Sequence, residues 1–153
     1  MSFTEQFEVW APRAHDVQLI VDGAHHPMQR AKKRGWWVSD IPMKPGQRYG
    51  YLLHDGNDWA GPFPDPRTRR QPDGIHGLSE VFGTDFPWTD HGHTIKQLQG
   101  QVIYELHVGT FTPEGTFAGV VDKLDYLVDL GVTAIELMPV QPFGGERNWG
   151  YDG

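Results

Sequence analysis

Hydrophobic and polar positions change rhythm twice along the chain. Up to about residue 60 they form short runs broken by turn residues. Phe7–Glu8–Val9–Trp10 alternates apolar and polar and is ended by Ala11–Pro12. Val17–Gln18–Leu19–Ile20–Val21 is closed by Asp22–Gly23, Trp36–Trp37–Val38–Ser39 follows Arg34–Gly35, and Tyr49–Gly50–Tyr51–Leu52–Leu53 stops at His54–Asp55–Gly56–Asn57. Turn signals at intervals of about 8–12 residues between β-branched and aromatic runs predict an antiparallel β-sandwich over residues 1–60. Trp36 and Trp37 are neighbours in one strand, so they point to opposite faces and one of them belongs to the core.

Residues 61–100 read differently. Gly61–Pro62–Phe63–Pro64–Asp65–Pro66 and Gln71–Pro72–Asp73–Gly74 are too rich in Pro and Gly for regular elements. Ile75, Leu78, Val81, Phe82 and Phe86 nevertheless predict a connecting segment packed on a neighbour. From Gln101 the rhythm changes again. Val102–Ile103–Tyr104–Glu105–Leu106–His107–Val108 is the nearly continuous apolar run of a strand buried on both faces. Thr116 is placed to cap a helix, and Phe117, Val120, Val121, Leu124, Leu127 and Val128 form its apolar stripe. Gly131 stands at the C-cap position, and Val132 to Met138 is a second buried strand stopped by Pro139. Residues 101–153 therefore predict a right-handed βαβ unit with parallel strands. Such a unit is not a finished domain, because a (β/α)8 barrel takes about 250 residues; a longer parent is expected. The fold class is thus mixed, an all-β part followed by the start of an α/β part.

Composition narrows the partners. At 38% hydrophobic and 22% charged residues the chain is an ordinary globular sequence. Its net charge of −7 argues against a nucleic-acid partner. The short basic runs Arg30–Arg34 and Arg67–Arg70 read as solvated turns. With no cysteine there is no disulfide framework, thiolate metal site or cysteine nucleophile. No secretory signal is visible at Met1–Glu5, and no apolar stretch approaches the ~20 residues of a membrane helix. A soluble, cytoplasmic protein with no membrane partner is the expectation; oligomeric state is not legible. His25–His26 and His91–Gly92–His93 lack a ligand set for a metal and read as loop surface.

Three stretches carry a family resemblance: Tyr104 to Phe111, Leu130 to Val140 at the end of the helix and through the second strand, and Trp149–Gly150–Tyr151–Asp152–Gly153. Together they resemble the opening of the barrel in glycoside hydrolase family 13, the α-amylase family. Within it, Thr110 to Phe117 and the upstream segment from Asp65–Pro66–Arg67 to Leu78–Ser79 are closer to a trehalose-releasing hydrolase than to a glycogen branching enzyme. The resemblance implies that residues 1–60 are an immunoglobulin-like β-sandwich akin to carbohydrate-binding module family 48. It implies that 61–100 packs on the barrel and that 101–153 opens a (β/α)8 catalytic barrel. The implied reaction is retaining hydrolysis of the α-1,4 bond next to the terminal trehalose of maltooligosyltrehalose. A nucleophilic carboxylate and an acid/base about 5–5.5 Å apart carry that chemistry. By the resemblance both lie on later strands, beyond Gly153, so no catalytic residue is expected here, and neither is a cofactor or metal. A branching enzyme and a non-catalytic α-glucan-binding module are the rival readings.

The resemblance assigns substrate contact to Tyr151, as the aromatic platform following the second strand, with Trp149 beside it. Asp152 is expected to order its neighbours rather than to act chemically. His107 lies at the C-terminal end of the first strand, the side on which barrel enzymes build their sites. Glu105 and Glu136 sit inside apolar strands and read as buried, hydrogen-bonded structural carboxylates. Whichever of Trp36 and Trp37 faces outward would serve a glucan or cover a domain interface.

Overall fold

The computed structural model describes residues 6–83, 85–94 and 97–145. The chain divides into two compact units, residues 1–86 and 87–153. The first holds strands β1 (Gln6–Trp10), β2 (Asp16–Val21), β3 (Ala24–Pro27), β4 (Gln29–Arg30), β5 (Trp36–Pro42), β6 (Arg48–His54), β7 (Trp59–Phe63) and β8 (Ser79–Glu80).

These strands form two antiparallel sheets. One has the order β1-β5-β4; the other has the order β3-β2-β6-β7, with β8 also pairing β6. Alternation decides what faces inward. Phe7 and Val9 of β1 and Trp37 of β5 meet Val17, Leu19 and Val21 of β2 and Tyr49 and Tyr51 of β6 in a single core. Phe7 and Tyr49 touch edge to face with ring centroids 4.9 Å apart, a favoured aromatic geometry. Of the tryptophan pair, Trp37 is the buried one, its Nε1 donating to the Ala11 carbonyl at 3.1 Å. Asp22 and Gly23, both at positive φ, make the two-residue turn that joins β2 to β3. The histidines His25 and His26 thus lie on an edge strand and not in a loop, a register their polar sequence hides.

The largest departure from the sequence expectation concerns residues 61–86. Regular structure does occur there, and it belongs to the β-sheets. β7 pairs with the second half of β6, and β8 with its first two residues. An edge strand tolerates Pro62, whose missing N–H the ladder does not need. Gly50 makes the approach possible, because a Cβ there would lie 2.8 Å from the Phe63 carbonyl oxygen and 2.7 Å from Leu78 Cδ2.

The segment is also tied down by one buried carboxylate. Asp65 accepts from the Tyr49 hydroxyl at 3.2 Å, the Tyr51 hydroxyl at 3.3 Å and the Arg67 backbone N–H at 2.8 Å, while its own N–H donates to Ser79 Oγ at 2.9 Å. Arg67 continues outward to Glu8 at 2.7 Å and lies 5.2 Å above the Trp36 ring. The two basic runs are therefore not simply solvated. Arg30 covers Trp37, Lys33 covers Trp36, and Arg70 pairs with Glu80 at 3.0 Å.

The second unit contains β9 (Ile103–Leu106), α1 (Val108–Phe111), α2 (Phe117–Val121), α3 (Leu124–Asp129) and β10 (Ala134–Leu137). β9 and β10 pair in parallel, Ala134 opposite Ile103 through Leu137 opposite Leu106. The single helix expected from Thr116 onward is two short ones, separated where Lys123 N–H bonds the Val120 carbonyl three residues back. Both predicted caps are in place. Thr116 Oγ1 accepts from Gly119 N–H at 3.1 Å. After α3, Gly131 and Val132 donate back to the Val128 and Leu127 carbonyls, the double bond of a Schellman turn.

The expected burial of both strands on both faces does not hold. Among the described residues, only Leu106, Val120 and Leu127 are fully buried in this unit's apolar core, with Tyr104, Val108, Phe111 and Val132 packed around them. Ile103, Ile135 and Leu137 are exposed, because two strands and three short helices leave little to cover them.

Tyr49 and Tyr51 generate a pH prediction. Burial, and after it the Asp65 carboxylate, raises both phenols well above their ordinary value. In the unfolded chain they ionise near pH 10. Their contribution is therefore intact below that pH and is lost as the pH climbs past it toward the folded values. Urea unfolding should show stability falling above about pH 10, and Tyr51→Phe should flatten that fall. Parallel alkaline profiles for the two proteins would contradict the assignment.

Candidate functional site

The parallel strands of the second unit set one candidate edge. Direct register places the ends of β9 and β10 side by side, and Met138 N–H donates to the Leu106 carbonyl at 3.0 Å. His107 follows at that edge as a half-buried residue preceding α1, its carbonyl accepting from Thr110 and Phe111 N–H at 3.0 and 2.9 Å. Of the residues expected to contact substrate, His107 alone can be located. Tyr151 and Trp149, and Asp152 between Tyr151 and the terminus, lie outside the described residues.

The two strand carboxylates differ from expectation. Glu105 and Glu136 are direct register partners and both are exposed. Tyr104 and Leu106 turn toward the helices, so alternation puts Glu105 on the other face, with Glu136 beside it. Both carboxylates are thus exposed, where the sequence leads one to expect burial.

Beside His107, the turn from α1 to α2 is tightly packed. Thr112 is buried against Gly119, and its Oγ1 has no hydrogen-bond partner among the described residues. A methyl group at Gly119 would overlap that oxygen. Thr116 at the cap and Gly119 thus have separate duties, one bonding the helix N-terminus and the other leaving room for Thr112.

The first unit offers aromatic surface. Trp59, exposed on edge strand β7, lies with its ring 4.9 Å from that of His54 on β6. The two rings are tilted 45° to each other and His54 is half-buried, so the exposed face is that of Trp59. Trp59 is not among the candidates that the sequence offers above. The available signal was an aromatic placed just after Asp55–Gly56–Asn57, where a hairpin returns. Trp36, by contrast, has cations over its ring from Lys33 and Arg67, 4.6 and 5.2 Å away. Among the described residues no group of three or more His, Asp or Glu side chains is placed to hold a metal ion. No helix there is long and apolar enough to cross a membrane.

Residues 4–69 match the carbohydrate-binding module 48 family (isoamylase N-terminal domain). Over 97% of its length the chain is 50% identical to the malto-oligosyltrehalose trehalohydrolase of Rhizobium sp. (strain M-11), covering 26% of that protein. A 1,4-alpha-glucan branching enzyme of Xanthomonas axonopodis pv. citri is 31% identical over 95% of the chain and 23% of its own length. Among solved structures, a Salmonella typhimurium protein assigned provisionally as an alpha amylase superposes with a TM-score of 0.85 at 43% identity. That match covers 97% of this chain and 25% of the other. A pullulanase of Anoxybacillus sp. LM18-11, solved with maltotetraose, gives 0.74 at 26% identity over 95% and 25% of the two chains. The chain spans about a quarter of the length of the curated relatives it matches.

The turn beside His107 yields a prediction. Gly119→Ala should cost about 1–3 kcal/mol in urea unfolding. Adding Thr112→Ala should return part of that loss, since the overlapping hydroxyl has no hydrogen-bond partner among the described residues. Wild-type stability in Gly119→Ala would contradict the packing described. A first unit that matches the carbohydrate-binding module 48 family, with a parallel βαβ unit after it, makes this chain similar over 97% of its length to about a quarter of a malto-oligosyltrehalose trehalohydrolase.

Proposed function

We propose that the chain is the N-terminal part of a retaining hydrolase that releases trehalose from maltooligosyltrehalose by cleaving the adjacent α-1,4 bond. The observation that carries this reading is the contrast in identity, 50% to a trehalohydrolase against 31% to a branching enzyme over nearly the same residues. In this reading β9, the helices and β10 open a (β/α)8 barrel whose site is built at the strand ends, on the His107 side. The nucleophile and the acid/base, about 5–5.5 Å apart in a retaining enzyme, stand on later strands outside these 153 residues. The chain's own part is positioning. Tyr151 stacks on the sugar next to the scissile bond, Trp149 lines the cleft beside it, and His107 bonds substrate from the first strand end. The reading places the enzyme in the cytoplasm, in trehalose biosynthesis, with an α-glucan as partner and no cofactor.

A second reading applies to the first unit alone, as an α-glucan-binding module. It is favoured by the module 48 match and by the exposed indole of Trp59. The two readings are compatible, since a platform on the sandwich would hold the polymer that the barrel trims.

The test is product analysis on the longer protein incubated with maltooligosyltrehalose. Free trehalose is expected, and Tyr151→Ala should lower kcat/KM by about a hundredfold through loss of sugar positioning. Branched glucan without free trehalose would contradict the reading.

A further inference from the structure

The basic run Arg30–Arg34 has no part in the activity proposed above. It fills the turn between β4, which Arg30 ends, and β5, which Trp36 opens. That turn is tied to the neighbouring one between β1 and β2. Ala11 N–H donates to the Gly35 carbonyl at 2.8 Å, and the Arg30 guanidinium donates to the Ala14 and His15 carbonyls at 3.3 and 3.2 Å. Arg13 of the second turn thereby joins Lys32, Lys33 and Arg34 at one end of the sheet, and all four are exposed. Residues 10–15 and 30–36 contain no Asp or Glu. Among the described residues, none of the four cations lies within ion-pair distance of a carboxylate.

Two tryptophans stand beside these cations. Trp10 and Trp36 are direct partners of β1 and β5, so they share one face, and it is the outer one because Trp37 points into the core. Trp36 is half-buried, with Lys33 and Arg67 at 4.6 and 5.2 Å from its ring. Trp10 is 61% exposed, yet it is seated. A Cβ at Gly35 would stand 2.9 Å from Trp10 Nε1, so the indole rests on the bare glycine backbone of the basic turn. A large aromatic side chain held in place and left open, with Arg and Lys around it, has the make-up of a protein-interface anchor.

We propose that this end of the sheet docks an acidic segment of a partner protein, with an apolar side chain of the segment on Trp10 and its carboxylates on Arg13, Lys32, Lys33 and Arg34. Charge complementarity sets the sign of the partner, and carboxylates match the guanidinium fork with paired hydrogen bonds. The net charge limits the partner's length. A long polyanion such as a nucleic acid would bring many phosphates against a molecule of charge −7, whereas a short acidic segment meets the local positive field alone. A membrane surface is served by apolar side chains that lead into the headgroups. Here the turn carries Lys32, Lys33 and Arg34, and Trp10 stays back at the end of a strand.

The test follows NMR shifts of the whole 153-residue chain during titration with a short peptide of glutamates around a central leucine. The same peptide with glutamines for glutamates, inorganic polyphosphate, and phosphatidylserine vesicles are titrated in parallel. The glutamate peptide should shift the Trp10 indole N–H and the amides of Arg13 and Lys32–Trp36 in a saturable way, less tightly as salt is added, and the glutamine peptide should leave them in place. Lys33→Glu with Arg34→Glu should weaken binding by about tenfold or more, and Trp10→Ala by about tenfold with its salt dependence kept. All three side chains are exposed, so the spectra should stay dispersed. The proposal is overturned if the glutamate peptide in the millimolar range moves none of these signals, or if the glutamine peptide binds equally well. It is also overturned if Trp10→Ala binds like the wild type, which would leave charge alone, or if polyphosphate or the vesicles bind there as tightly as the peptide.

Discussion

Two strands running the same way have no turn to close them and no sheet to finish them. A parallel pair must be bridged by a crossover, and both its faces must be covered. β9 and β10 meet the first condition through α2 and α3, whose Val120 and Leu127 close over Leu106. They meet the second only halfway. Register puts Ile135 and Leu137 on the helix side with Tyr104 and Leu106, yet both are exposed, and Ile103 is exposed on the opposite face. Phe117, Val121, Tyr126 and Val128 extend the uncovered apolar surface along the helices. Such surface marks an interaction site in a soluble protein, and further strands and helices of a barrel are the proposed cover.

The first unit solves the same problem internally. Two antiparallel sheets turn alternate residues toward each other and need no third layer. What remains is to fasten the long segment that follows β7, and here a polar device takes over from apolar burial. Asp65 gathers two tyrosine hydroxyls and a backbone N–H, while Arg67 ties its neighbour back to Glu8 on β1. A carboxylate with this many donors tolerates burial that an unpaired one would not.

Much of this was legible from periodicity. The inward positions of β1, β2 and β6 follow directly from alternation, and the Thr116 and Gly131 caps from local chemistry. The less visible elements share one trait, that their reason lies outside their own residues. β3 is a polar strand that exists because the Asp22–Gly23 turn folds it against β2. β7 and β8 hide in a Pro- and Gly-rich stretch because an edge strand needs neither alternation nor every N–H. The apolar stripe from Phe117 to Val128 reads as one buried helix, but this chain covers only the two members spaced seven apart. Glu105 and Glu136 read as buried because their neighbours are apolar, whereas burial depends on layers the chain's own residues do not supply. Of the candidate site, His107 was placed by its position after a strand. Trp59 and Asp65 became visible only once the hairpin and the buried hydroxyls were seen together.

The proposal that carries most weight is that the parallel pair β9 and β10 begins a larger sheet. Hydrogen–deuterium exchange on the 153-residue chain and on the longer protein proposed above tests it directly. Amides of Ile103–Leu106 and Ala134–Leu137 should exchange rapidly in the short chain and be strongly protected in the long one, while those of β2 and β6 behave alike in both. Equal protection of β9 and β10 in the two proteins would contradict it.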